Sequence, residues 1–320
     1  MSEACQHTHR NYQVDNIRAL LIFLVVLGHL IPLNNGGINS NPLYSVIYSF
    51  HMALFVFVNG IYAHFDRKKI LKHYIWPYIF FQTAYYYFCS YVLHDNTVLQ
   101  FTTPYWLLWY LMTMITYLCL IPLLKTGSHK HVLITVAGTF LLAIITGFDN
   151  TIGKYLSLSR TICFLPFFLL GFYHNLLIDE KTRAVLRKPY IAAFGVIGII
   201  VLEFALCMSN SPVVVLHHTG PYDIIMRDAG IRLILEAIGL AWIVLLFAAI
   251  PDRPIKLITT IGQNTMPIYL LHGFIAKYVS KCNLLHYGRM ENEIIATIAA
   301  MMIVIVLGNR QIGRIFRKLF

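Results

Sequence analysis

Apolar runs separated by short polar or basic turns follow one another along the chain from residue 17 to residue 309. A bilayer core about 30 Å thick takes about 20 apolar residues in helical form. On that measure the pattern predicts about ten spans, near 17–33, 43–64, 74–94, 104–124, 132–148, 160–178, 190–208, 228–250, 260–280 and 293–309. The expected fold is an all-α polytopic membrane protein. Residues 1–16 would form a cytoplasmic N-terminal segment, 17–309 the membrane domain and 310–320 a basic cytoplasmic tail, an even span number placing both termini on one side. The longest polar interruption, Ser209 to Arg227 with Pro212, His217-His218 and Gly220-Pro221, reads as an external or re-entrant loop. No repeat, P-loop or glycine-rich nucleotide fingerprint interrupts the series.

Composition agrees. Of 320 residues 58% are hydrophobic and 12% charged, against about a quarter charged in soluble domains. A formal charge of +11 raises the question of nucleic acid, which the placement of the cations answers. Only Lys154, Arg160, Arg227, Arg232, Lys277, Lys281 and Arg289 fall outside or within spans; the rest of the 25 Lys and Arg cluster on the side of the N-terminus. That is the positive-inside asymmetry, so the basic excess reports orientation and contact with anionic membrane lipids, and no nucleic-acid partner is expected. Cys5, Cys89, Cys119, Cys163, Cys207 and Cys282 are scattered without metal or disulfide spacing, and no metal is expected. The first apolar run has no small-residue cleavage site and reads as a retained helix.

The spans are not uniformly apolar. Arg18 and His29 enclose ten uncharged residues in the first. Eleven steps of 100° complete three turns plus about 20°, so both lie on one face about 16 Å apart, with Asp15 near the same stripe. Only Leu30-Ile-Pro-Leu33 separates His29 from Asn34-Asn-Gly-Gly37, which sets the imidazole just below the outer surface, within reach of a water-filled crevice. The second span descends from outside, bringing His51 towards the level of His29 and Asn59-Gly60 near Arg18, where Gly60 lets a backbone or a ligand approach closely. Arg67-Lys-Lys69 and Lys72 follow at the inner mouth, as a topology signal or as an anion contact. Ionisable groups at such depth call for a functional explanation.

The Arg18-X10-His29 spacing, led in by Asp15-Asn-Ile-Arg18, resembles the signature of the acyltransferase-3 family of membrane O-acyltransferases. Phe50-His-Met-Ala-Leu-Phe-Val-Phe-Val-Asn-Gly60 is similar to a second family segment, with Ala53 where proline is usual and Asn59 where serine is usual. Trp106-Leu-Leu-Trp109-Tyr-Leu, Leu165-Pro-Phe-Phe-Leu-Leu-Gly171 and Ile261-Gly-Gln-Asn-Thr-Met-Pro-Ile-Tyr-Leu-Leu-His272 resemble later blocks in the same order, so the likeness spans nearly the whole chain. The resemblance implies a multi-pass enzyme of a bacterial plasma (inner) membrane. Its donor would be cytoplasmic acetyl-coenzyme A or another acyl-CoA, and its acceptor a cell-surface carbohydrate or lipid-linked glycan; nothing in the sequence sets the oligomeric state.

On that expectation His29 is the general base, or a transient acyl carrier, with His51 beside it, and Asp15 orients Arg18. Arg18, Asn59, Gly60, Arg67 and Lys68 would meet the coenzyme. Arg160, at the outer start of its span, would meet an acidic group of the acceptor, with Trp109 and His272 nearby. His51 and His272 have the alternative of tying helices together, and Trp109 that of an interfacial belt. Asp228, Arg232 and Glu236 recur at four-residue spacing and would neutralise one another inside the bundle. Glu203 has no local partner and awaits a cation from another helix or a proton or substrate role, while His217-His218 reads as a solvated pair. A proton-coupled transporter or a non-catalytic carrier on the same fold is the competing reading, although no duplicated halves appear.

Overall fold

The computed structural model describes residues 10–31, 41–124, 128–178, 185, 188–209 and 213–320; Cys5, Asn34-Asn-Gly-Gly37 and Pro212 lie outside them. All regular structure among the described residues is helical. In chain order the helices are α1 (Tyr12–Leu30), α2 (Pro42–Ile61), α3 (67–92), α4 (Trp106–Leu123), α5 (His129–Phe148) and α6 (Tyr155–Phe172). There follow α7 (Pro189–Met208), α8 (Ile225–Ala249), α9 (Lys256–Gln263), α10 (Thr265–Lys281), α11 (Arg289–Leu307) and α12 (Arg310–Leu319). Counted over the described residues alone, seven of these, α1, α2, α4, α5, α6, α8 and α11, are long and apolar enough to cross a membrane.

Of the three other predicted spans, two fall on helices with local irregularities. The 74–94 run lies in α3, which opens on a basic turn and contains π-helical turns at Leu71–Ile75 and Phe88–Val92. The 190–208 run lies in α7, a continuous 20-residue helix. The 260–280 run is split at Asn264, whose side-chain amide donates to the carbonyls of Thr260 at 2.9 Å and Gly308 at 3.2 Å. Those bonds satisfy backbone oxygens at the break, which is how a helix interruption survives inside a bundle.

α1 is the axis of the fold. Ile17, Leu21, Ile22 and Val26 are fully buried, as expected of a helix that is apolar all round. Its polar first turn is stitched to the end of α8 and the start of α9. Gln13 donates to the Phe247 and Ile250 carbonyls, Asn16 donates to those of Pro251 and Arg253, and Thr259 donates to Asn16 Oδ1 at 2.8 Å. α2 packs against α6 through Gly60 and Gly171, where an added Cβ would overlap the Phe168 or the Phe57 carbonyl oxygen. Toward the periphery α7 leaves Phe194 and Phe204 outward at 72% and 67% exposure, an apolar face suited to lipid.

Candidate functional site

His29 ends α1 inside a polar chamber built from five helices and the loop that carries His217. Its Nδ1 lies 2.8 Å from Nε2 of His272 on α10, and Nδ1 of His272 lies 2.8 Å from the Ile268 carbonyl oxygen. A carbonyl only accepts, so His272 carries its hydrogen on Nδ1. In the neutral ring its Nε2 is then an acceptor, which makes His29 Nδ1 the donor and leaves His29 Nε2 as the free lone pair. The same logic applies to His51 on α2: Nδ1 donates to the Ile47 carbonyl at 2.5 Å and Nε2 keeps its lone pair. His29 and His51 line one cavity of about 190 Å³ with Arg160, Trp109, His217 and Tyr269. His29 also borders a wider cavity of about 580 Å³ that reaches the α10–α11 turn at Asn283.

Aromatic and cationic groups shape the chamber. The Trp106 ring sits 4.5 Å from His29, and Tyr48 lies edge-on to His51 at 4.9 Å. Gly28 makes room here, since a Cβ would press on the Tyr48 ring at 2.9 Å. Arg160 on α6 lies over Trp109 at 4.7 Å and donates from Nε to the His217 carbonyl at 3.0 Å. It has no carboxylate partner among the described residues. His217 Nε2 is 2.7 Å from the Tyr44 hydroxyl, so the predicted solvated pair is instead packed into the wall, and His218 beside it is buried. Polarity alone misled there: the single turn Val213–Leu216 folds the loop back between helices.

A third cavity, about 360 Å³, opens at the end that holds the polar first turn of α1. Arg18 donates from NH2 to Asn59 Oδ1 at 3.1 Å, and Asn59 donates in turn to the Tyr110 hydroxyl. The Arg18 guanidinium lies over Tyr62 at 5.3 Å. Lys69, His64 and His73 share this lining. Tyr269 borders both this cavity and the histidine chamber; its hydroxyl donates to the Leu107 carbonyl and its ring meets Tyr110 at 5.6 Å. A basic cavity and a histidine chamber thus lie on opposite sides of one tyrosine.

A family model described as an acyltransferase domain matches residues 11–308. The chain belongs to the acyltransferase-3 family. This acyltransferase is similar to the nodulation protein NolL of Sinorhizobium fredii, at 24% identity over 332 aligned positions that cover 88% of this chain and 81% of that one. No solved structure matches it.

The acyltransferase brings some sequence-predicted residues together and separates others. His29, His51, His272, Trp109 and Arg160 surround the chamber, while Arg18 and Asn59 line the basic cavity. Asp15 does not face Arg18: its Oδ2 accepts from Arg10 Nε at 2.8 Å and Gln263 Nε2 at 3.1 Å, because α1 is docked on α9 at that turn. Gly60 serves a backbone rather than a ligand, filling the α2–α6 crossing. Of the basic run, Lys69 rather than Arg67 or Lys68 lines the cavity. Asp66 accepts from the amides of Lys68 and Lys69, which fixes the start of α3, and Arg67 lies over Phe65 at 6.0 Å.

The charges on α8 do not neutralise one another as expected. Asp228 accepts from Arg227 at 2.8 Å and from the amides of Asp223 and Ile224, as an acid does at a helix start. Arg232, fully buried, donates to the Ala143 carbonyl and Cys163 Sγ at 3.1 Å each and lies over Tyr222 at 5.0 Å. Glu203 meets no cation among the described residues; it accepts from Ser49 Oγ at 2.5 Å.

Proposed function

We propose that this acyltransferase moves an acetyl group from cytoplasmic acetyl-coenzyme A to a hydroxyl of a cell-surface polysaccharide or of its lipid-linked precursor. The observation that carries the reading is the Ile268–His272–His29 relay, which holds one imidazole with its lone pair free inside a cavity. An imidazole oriented by a second group is what proton removal from an alcohol calls for. His29 Nε2 takes the proton as the acceptor oxygen attacks the thioester carbon. A C–O bond forms, the C–S bond breaks, and the departing coenzyme thiolate takes the proton from His29. His272 is a positioning residue in this scheme.

The other residues take supporting roles. His51, with its own free Nε2, accepts from a neighbouring hydroxyl of the bound sugar. Arg160, lacking a carboxylate of its own, attracts an acidic group on the acceptor, and Trp109 holds the guanidinium in place. Arg18, anchored by Asn59 and Tyr110, meets coenzyme phosphate or the pantetheine amide at the basic cavity. Between the two sites the pantetheine arm passes Tyr269, whose ring yields to it. Purified protein in detergent, given radiolabelled acetyl-coenzyme A and candidate glycans, tests the scheme. Label moves to a glycan with the unaltered chain and not with His29→Ala; a folded His29→Ala protein of undiminished activity would overturn it.

A further inference from the structure

The basic cavity has a wall that the span pattern treats only as a tail. Gly313, Phe316 and Phe320 turn inward from α12 at a spacing of three and four residues, one face of a helix. Phe316 and Phe320 are buried; the Phe320 ring meets Phe80 at 5.3 Å and Phe81 at 5.7 Å, and Phe316 meets Phe81 at 6.1 Å. A Cβ on Gly313 would overlap the side chain of Asn264, so the helix lies hard against the α9–α10 break. One turn further on, Arg317 donates from NH1 to Asn264 Oδ1 at 2.8 Å and borders the cavity. The opposite face of α12 leaves Ile315 and Leu319 at 60% and 62% exposure beside Arg314 and Lys318, the pattern of a helix lying in a membrane interface.

Charge complementarity identifies what the cavity takes. Arg18, Lys69 and Arg317 line it, and none of its described lining residues is Asp or Glu. Each of these cations is steadied by a neutral acceptor: Asn59 for Arg18, His64 Nε2 for Lys69 at 3.1 Å, Asn264 for Arg317. Lys69 and Arg317 stand exposed at the rim and Arg18 further in, with no carboxylate in the lining between them, a setting that favours a multiply charged anion. Arg317 uses one nitrogen for Asn264 and keeps further N–H donors for phosphate oxygens.

We propose that Arg317 of α12, together with Lys69, binds the phosphates of the coenzyme, so that the C-terminal helix is part of the donor site. This rests on the donor reading above and adds to it an element outside the span that carries Arg18. Pantetheine, which has the arm and lacks the nucleotide phosphates, separates charge recognition from packing.

Titration calorimetry on the full chain in neutral detergent, with coenzyme A and with pantetheine as probes, tests the proposal. Arg317→Gln is expected to weaken coenzyme A about tenfold, the loss of one charge-assisted contact, and to leave pantetheine unchanged. Arg317→Lys recovers most of the affinity, Lys69→Gln weakens coenzyme A selectively as well, and Arg314→Gln on the outward face changes neither probe. Equal weakening of both probes by Arg317→Gln would show that α12 only supports the fold, and no weakening would remove Arg317 from the site; either result overturns the proposal alone. An unaltered chain that does not distinguish coenzyme A from pantetheine would remove the donor reading and the proposal together. Repeating the titration with added phosphatidylglycerol separates lipid from coenzyme phosphate: a contribution from Arg317 that appears only with the lipid assigns it to headgroups and overturns the proposal.

Discussion

His29 owes its tautomer to a residue 243 positions further along the chain, and that separation explains both what single-residue reasoning reached and what it missed. Arg18 and His29 share one helix, so their spacing was legible as a common face. The His272 bond depends on two helices meeting, which no periodicity records. His272→Ala should lower kcat for acetyl transfer about 10²-fold while leaving the KM for acetyl-coenzyme A unchanged, since general-base efficiency is lost and donor contacts are not. His272→Gln, whose amide oxygen accepts from the His29 N–H, should recover part of the loss. A His272→Ala protein with normal kcat would return that residue to plain packing. Arg18→Gln should do the opposite, raising the donor KM about tenfold with a smaller change in kcat. His217 shows the converse failure: a polar pair in a loop reads as solvated until the loop is seen to fold inward to Tyr44 and Arg160.

At the scale of elements, apolar run length located the helices because burial in lipid or protein leaves few alternatives to intrahelical hydrogen bonding. At Asn264 the polar stretch Gly262-Gln-Asn-Thr265 interrupts the apolar run, but run length alone carried the span across it, because the bond that stabilises a break there, to Gly308 at the end of α11, leaves no local pattern. Nor did the sequence tell ligand glycine from packing glycine at Gly60. The contact with Gly171 resolves it and gives a sharp contrast between substitutions. Gly171→Ala sets a methyl against the Phe57 carbonyl and forces α2 from α6, which should cost about 1–3 kcal/mol. The unfolding temperature in detergent should fall, and donor affinity should fall with it, because Asn59 and its bond to Arg18 move with Gly60. Gly138→Ala on α5, where an added Cβ meets nothing within 4 Å, should leave the unfolding temperature unchanged or raise it by the helix preference of alanine, about 0.5–1 kcal/mol. If both substitutions act alike, the crossing is not the constraint it looks to be.

Across the whole molecule, the cations of the basic cavity and the imidazoles of the chamber face opposite ends, with Tyr269 between them. The excess of Lys and Arg outlined that polarity in the sequence because a membrane sorts charge by side. That Tyr269 borders both cavities was hidden, because the tyrosine is held from α4 through the Leu107 carbonyl. On the proposed scheme the enzyme takes its two substrates from opposite faces. In a cysteine-free background, a cysteine at Arg314 and one at Lys154 should react with impermeant reagent from opposite sides of a sealed vesicle. Acetyl-coenzyme A should then support transfer only from the face that labels position 314, and glycan should accept only on the face that labels position 154. Tyr269→Trp should slow transfer while coenzyme A still binds, because the larger ring narrows the passage without touching Arg18 or Lys69. Transfer between donor and acceptor supplied together on one face, with Tyr269→Trp fully active, would mean that the two cavities serve one side of the membrane and that the acyl group never passes that ring.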